Sequence, residues 1–439
     1  MFPRCRRQVR LLLTILTLTV VLTFILYGRE PPRVKAKFAV GRPSGVIPFV
    51  TTFLRAHGNA QRSNRPTVKT ILLWTQYFGS KTWGAVETTF WSCPVKNCRV
   101  TEDKTEVKDA DALMMNSRDF SSVSDLPASR SPQQVWILHS SEPPYYVYLK
   151  LDKLRDVFNW TSWYRSDADI FSPYGTYSLI NSSSQTNLPK QPLPDAPIHQ
   201  SRGIAQDALN PFVPKSLLPG DLLSTSSSGD VIPTDPFNQH DLLVFWAASS
   251  CLNYNQRYKF VGELRRHLPV DTYGSCGELT CAIGTEECRT TLRRYKFVLA
   301  FENGYCRDYI TEKYWNALKR NQIPIVMGGA DYSKLAIPGS YIDVDNFTSV
   351  EDLASFVLRV SNDRDLYNSF HAWRAVYKKN TDLVSNWCQI CQALHDQSRP
   401  AQAYRDLKGW VSEDTCPLQS DSHFFVWGKT YYLYKLFGI

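Results

Sequence analysis

This sequence predicts an α/β fold arranged as two successive halves, and three observations carry the prediction. Residues Arg294–Ala330 read as strand, loop, helix and strand in close succession. A chain of 439 residues exceeds what one hydrophobic core usually organises, and a second α/β pattern lies ahead of that stretch. Composition agrees: 43% hydrophobic and 13% aromatic residues are globular values. The formal charge of +9 is spread out and not gathered into the basic runs of a nucleic-acid binder. It suits either a soluble surface or an anionic ligand such as a nucleotide.

At the amino terminus, Arg4, Arg6, Arg7 and Arg10 precede Leu11–Tyr27, seventeen residues without a charge. Two readings compete there, a cleaved signal peptide and an uncleaved signal anchor. No small-x-small cleavage pattern follows closely, and Tyr27, Arg29 and Glu30 flank the end, so the anchor is preferred. The length suits a thin early-secretory bilayer. The arginines would hold a tail of residues 1–10 in the cytosol and leave the body lumenal. Residues 28–66, rich in Pro, Gly, Arg and Asn, read as a stem. Sequons at Asn159, Asn181 and Asn346 agree with a lumenal body. So do the cysteines, since ten of the eleven form an even set beyond the span.

The first half covers 67–180. VKTILLWTQYFG from Val68 is a strand, Ala110–Met115 and Val135–Ser140 are short apolar runs, and Leu149–Trp160 has helical spacing. Residues 181–240 are dense in Ser, Pro, Gln and Asn and lack a sustained apolar pattern, which predicts a long exposed insertion.

The second half covers 241–395. LLVFWAA from Leu242 is a strand, Arg257–Leu268 is helical in spacing, and Val270–Tyr273 is a short strand. Tyr295–Phe301 is an apolar, aromatic strand that Glu302, Asn303 and Gly304 break. Asp308 is placed to cap the next helix, whose face carries Ile310, Tyr314, Ala317 and Leu318. Ile323–Met327 is a further buried strand, ended by Gly328-Gly329. Such a crossover is right-handed and its strands parallel. Ligands of open α/β sheets bind beyond the carboxyl ends of the strands, here the loop Glu302–Arg307 and the helix start. Free N–H groups and the positive dipole end favour an anion there. Arg307 and Lys313 add charge that suits a diphosphate. Ser349–Val360 is a helix with a capping box of Ser349 and Asp352, and Asp363–Lys379 is another. The tail, 396–439, ends in the aromatic run WGKTYYLYKLFGI and is expected to pack back on the body.

FENGYCRDYITEKYWNAL and IPIVMGGA together resemble the signature of the α-1,3-fucosyltransferase family. SSEPP at Ser140–Pro144, FNWTSWYRSDADIFSPYG at Phe158–Gly175 and WAASSCLNYNQRYKFVGEL at Trp246–Leu264 agree in order and spacing. The resemblance spans about residues 70–395. It implies two Rossmann-like domains in a GT-B-like arrangement behind a transmembrane helix and stem. It implies a single-pass type II Golgi membrane enzyme with a lumenal catalytic domain. The implied reaction moves L-fucose from GDP-β-L-fucose, with inversion, to GlcNAc of a glycoprotein glycan in α-1,3 linkage. Two other readings stay open: fucosylation of protein side chains, and an inactive membrane-anchored glycan-binding or quality-control protein. Ser250 stands where many relatives carry Asn, Gly304 where they carry Ser, and the 181–240 insertion is longer than the usual link.

The chemistry needs a proton acceptor, because an attacking hydroxyl must lose its proton. Glu142 follows the VWILHS strand and precedes Pro143-Pro144, whose fixed φ stiffens the loop. Taken alone it is equally a solvated loop carboxylate; the resemblance implies that it is the catalytic base. Likewise implied are Arg257 and Lys313 at the diphosphate, Glu312 at ribose hydroxyls, and Tyr164, Asn303 and Tyr309 lining the donor site. Without the resemblance, Glu312 and Lys313 read as an exposed helix pair and Arg257 as a solvated helix start. Asp167-Ala168-Asp169 has the form of a metal-binding Asp-x-Asp motif. The resemblance implies a structural or donor-side loop instead, with no cofactor required and a divalent metal as stimulator only. Cys388-Gln-Ile-Cys391 has the spacing of half a zinc site or a redox motif. The resemblance implies the pairs Cys93–Cys388 and Cys98–Cys391, and leaves Cys251, Cys276, Cys281, Cys288, Cys306 and Cys416 unassigned.

Overall fold

Two parallel sheets organise the computed structural model. It describes residues 68–180 and 235–416, apart from 82, 86–87, 250, 252–256, 283, 382–383 and 414. The expected anchor, the stem, most of the insertion, Asn181 and the end of the tail lie outside the described residues. Among the described residues no helix is long and apolar enough to cross a membrane.

The first sheet uses β1 (Lys69–Leu73), β2 (Cys98–Thr101), β3 (Ala112–Asn116), β4 (Val135–Ser140), β5 (Trp160–Trp163) and β6 (Ile170–Phe171), in the order β2-β1-β3-β4-β5-β6. Every residue of β3 is buried, as expected of a strand covered on both faces. A short strand, β7 (Thr176–Leu179), leaves this half.

The second sheet uses β8 (Leu242–Ala247), β9 (Val270–Tyr273), β10 (Tyr295–Phe301), β11 (Ile323–Met327) and β12 (Ile342–Asp343), in the order β12-β11-β10-β8-β9. Helix α1 (Arg257–Leu264) follows β8, α2 (Glu286–Arg293) precedes β10, and α3 (Glu312–Lys319) crosses from β10 to β11. Tyr314, Trp315, Ala317 and Leu318 are the buried face of α3. The order reverses between β8 and β10, and such a switch point opens a crevice at the carboxyl ends. α1 and α3 both start there.

Beyond β12, α4 is set aside by its brevity (Tyr332–Leu335), and α5 (Val350–Asn362) starts at Ser349, whose hydroxyl accepts from Asp352 N at 3.0 Å. The Asp352 side chain does not return to Ser349 but accepts from the Thr348 hydroxyl. α6 (Arg364–Ser369), β13 (Tyr377–Asn380), α7 (Val384–His395) and α8 (Leu407–Ser412) complete the chain.

Two helical expectations are corrected. Leu149–Trp160 forms a single turn at Leu151–Lys153 and then β5, because Asp156 takes φ +60°, which a helix cannot continue. Leu149, Leu151, Leu154 and Phe158 are buried all the same. Asp363–Lys379 divides into α6, a turn and β13, since β13 finds antiparallel backbone partners in β7.

The late chain returns to the first sheet. α7 buries Trp387 and Ile390 among Ile71, Leu73, Ile137 and Ile170. Disulfides join Cys93 to Cys388 and Cys98 to Cys391. The other six cysteines pair as Cys251–Cys276, Cys281–Cys288 and Cys306–Cys416. Close approach also occurs at Gly175, where any Cβ would lie 2.5 Å from the Trp315 ring of α3.

Candidate active site

Glu302 ends β10 with no exposed surface. Its Oε1 accepts from Thr311 N at 2.7 Å, and its Oε2 accepts from the Thr311 hydroxyl at 2.8 Å and from Lys313 Nζ at 3.1 Å. Thr311, not Asp308, caps α3. Asp308 takes φ +62° and turns to the first half, where its Oδ2 accepts from Ser166 N at 3.0 Å and from the Ser166 hydroxyl at 2.7 Å. Lys313 Nζ also donates to Thr311 Oγ1 at 2.7 Å and to Glu312 at 3.3 Å. Burial works against this ammonium, but Glu302 and Glu312 outweigh it and hold its pKa above the usual lysine value.

Arg257 is not a solvated helix start. It is 3% exposed, donates to Phe301 O at 3.0 Å and lies 5.7 Å from the centre of the Trp246 ring. Burial lowers its pKa, against the pull of Glu302. Arg257 and Lys313 therefore sit at the switch point as two cations beside the start of α3. Arg307, expected at the same anion, is committed elsewhere: it donates to Asp167 at 2.8 Å.

Across from them, Glu142 follows β4. Ser140 Oγ accepts from Glu142 N at 3.2 Å and Trp163 Nε1 donates to Glu142 O at 3.2 Å. Tyr174 OH donates to Ser141 O at 2.8 Å. These bonds fix the backbone on which the carboxylate stands. The side chain is half-buried. Burial raises its pKa, while Arg118, Lys313 and a hydrogen bond from Asn303 lower it. Lys313 and Asn303 belong to the second half, so the carboxylate and the cation face one cleft. Pro143 lies against the same loop: a Cβ at Gly304 would be 3.2 Å from its Cγ. The neighbouring His139 is no rival base for a charged proton shuttle, since burial lowers its pKa to about 4.

Tyr164 and Tyr309, expected to line the donor site, are each 1% exposed. Their rings lie 4.7 Å apart and join the core of the first half. They form the wall behind the cleft, and neither ring offers an open surface.

The carboxylates of the Asp-x-Asp sequence are taken up by protein donors. Asp167 receives Arg165 at 2.6 and 2.9 Å and Arg307 at 2.8 Å. Asp169 receives Thr161 N at 2.9 Å, Tyr404 at 2.7 Å, Gln402 at 2.6 Å and Arg399 at 3.1 Å. Despite partial burial, Arg165 and Arg307 hold Asp167 below the usual carboxylate range. Among the described residues, the group that gathers metal-type ligand atoms is Cys98, Cys391 and His395, and its two sulfurs are bonded to each other.

Of the sequons, Asn346 is exposed at the end of a turn. Asn159 is half-buried; its Oδ1 accepts from Trp136 N and Arg130, and one Nδ2–H goes to Gln402 O at 2.7 Å. A glycan bond would use the remaining Nδ2–H.

Glu302 is the residue that sequence reasoning passed over. A signal was present, because a carboxylate directly after a buried strand must find partners, and Thr311 and Lys313 are among the polar residues that follow within one loop.

Residues 66–175 match the family model described as "Fucosyltransferase, N-terminal", and residues 237–410 match "Glycosyltransferase family 10 (fucosyltransferase) C-term". The chain is 33% identical to alpha-(1,3)-fucosyltransferase C of Drosophila melanogaster over 81% of its length and 80% of the relative. It is 31% identical to alpha-(1,3)-fucosyltransferase 7 of Bos taurus over 79% of its length and 86% of the relative. A crystal structure of an alpha1,3-fucosyltransferase aligns at 14% identity and a TM-score of 0.43, covering 76% of this chain and 92% of that one.

Proposed function

The chain belongs to glycosyltransferase family 10, the fucosyltransferases, and from that premise we propose that it moves L-fucose from GDP-β-L-fucose to a GlcNAc hydroxyl of a glycoprotein glycan in α-1,3 linkage. The observation that carries the proposal is that the Glu142 loop packs on the loop after β10, with Pro143 against Gly304, which brings Glu142 under the influence of Asn303 and Lys313. Glu142 takes the acceptor hydroxyl's proton as that oxygen attacks the anomeric carbon. The bond from that carbon to the β-phosphate oxygen breaks on the opposite face, so a β-linked donor gives an α-linked product. The electron pair leaves with GDP. Lys313, Arg257 and the amino end of α3 oppose the growing charge, and they need no metal to do so. Glu312 is free at its outer edge to meet the ribose hydroxyls, and Asn303 lies between donor and base.

Two parallel sheets, each with a carboxyl edge at this cleft, support a GT-B-like pair of domains: 67–180 on the acceptor side and 241–395 on the donor side. The protein donors on Asp167 and Asp169 support a metal-independent reaction, with any divalent ion acting as a stimulator. The uncharged run 11–27 and its arginines support a type II Golgi protein with a lumenal body.

The test is to incubate the full chain with GDP-fucose and defined glycans and to read the linkage by NMR. Transfer to O3 of an innermost or outer-arm GlcNAc is expected. Transfer to a polypeptide side chain alone, or binding without turnover, would overturn the proposal.

A further inference from the structure

We infer that Glu302 is a positioning residue for the donor diphosphate, holding the Lys313 ammonium in place through a buried clamp with Thr311. The inference rests on the donor reading of this cleft. Glu302 has no exposed surface, and a buried carboxylate without partners is strongly unfavourable. Its two oxygens accept from Thr311 N at 2.7 Å, from the Thr311 hydroxyl at 2.8 Å and from Lys313 Nζ at 3.1 Å. One carboxylate thereby ties the end of β10, the cap of α3 and the ammonium together.

Lys313 has three N–H donors, and Thr311, Glu302 and Glu312 take them. These partners differ in burial. Thr311 and Glu302 are fully buried, whereas the Glu312 side chain is 54% exposed. A phosphate oxygen entering from solvent meets the outer partner first. It replaces Glu312 on the ammonium, and the inner pair stays. Glu312 is then released from the cation. A lysine on its four-carbon stem would otherwise lose rotamer freedom on binding, and the clamp removes most of that loss in advance. The charged groups that face Lys313 are Glu302, Glu312, Arg257 from α1 and Glu142 from the end of β4.

Glu302→Gln tests this, because it keeps the size and a carbonyl for Thr311 but removes the charge. The full chain is titrated calorimetrically with GDP-fucose across neutral and alkaline pH, beside Lys313→Ala and the double variant, with folding checked by thermal melt. Lys313→Ala should bind about tenfold to a hundredfold more weakly, the usual loss for a charge-assisted hydrogen bond. Glu302→Gln should bind about tenfold more weakly near neutral pH. Its deficit should grow as pH rises, since a partly buried ammonium without its counter-charge gives up its proton at lower pH. The double variant should bind no more weakly than Lys313→Ala, because Glu302 acts through Lys313. A deficit equal at every pH and additive with Lys313→Ala would overturn the inference and leave Glu302 a fold residue. Should Glu302→Gln not fold, Thr311→Val carries the same comparison, and affinity like that of the wild type would overturn the clamp. Unchanged binding by Lys313→Ala would instead overturn the donor reading itself.

Discussion

Removing the two disulfides that tie the late chain to the first sheet should be strongly non-additive. The variants are Cys93→Ala with Cys388→Ala, Cys98→Ala with Cys391→Ala, and all four together. The bonds run in parallel, spanning 295 and 293 residues. In the chain-entropy model, closing a loop of that length destabilises the unfolded chain by about 6 kcal/mol. Once one bond exists, the second closes only a small ring of about eight residues, worth about 2.5 kcal/mol. Loss of either bond should therefore cost about 2.5 kcal/mol and loss of both about 8 kcal/mol, well over twice the single value. Trp387 and Ile390 keep α7 seated while one bond remains. Urea unfolding without reductant, followed by tryptophan fluorescence, reads all four proteins, and mass mapping checks the pairings. Single losses that simply sum to the combined loss would refute the parallel arrangement. Free thiols at Cys388 and Cys391 would refute the pairing.

Four further outcomes follow. Burial raises the Glu142 pKa against the pull of Arg118 and Lys313, and a base works ionised, so kcat/KM should fall as pH drops through a midpoint above the usual glutamate value. Arg118→Ala should move that acid limb higher still, and an unmoved limb in a pH–rate series would contradict the assignment. Asp167→Asn should lower the melting temperature by unbalancing the 4%-exposed Arg165, at about 1–3 kcal/mol. Activity should survive chelation in part, whereas complete Mn²⁺-reversible loss would restore a metal role for Asp167 and Asp169. Protease added to sealed microsomes should spare the chain after Tyr27, and digestion of the body would refute the type II topology.

The βαβ unit of the second half was legible because buried parallel strands are continuous apolar runs. Tyr295–Phe301 and Ile323–Met327 have the same bounds in the sequence reading and in the structure. Glu142 was legible as a position, since a strand end followed by two prolines marks a stiff loop. What stayed hidden depends on partners distant in sequence. Asp308 reads as a cap by its spacing, yet Ser166, 142 residues away, is its partner. Arg307 reads as a free cation, yet Asp167 across the halves takes it. Leu149–Trp160 has apolar spacing compatible with a helix, but Asp156 takes positive φ and its N–H donates to Tyr404 O at 2.8 Å, a partner far along the chain. Glu302 looked like a strand breaker because its clamp closes nine and eleven residues later.

The central claim is that Glu142 is the base of fucosyl transfer while the donor is held in the other half. Glu142→Gln keeps the shape and removes the proton acceptor. GDP-fucose titration and transfer rate, measured on the same folded preparation, test it directly. The account predicts donor affinity close to that of the wild type and a kcat lower by about 10²–10⁴, the usual worth of general-base assistance. Turnover within a few-fold of the wild type would make Glu142 a loop carboxylate and place the base elsewhere.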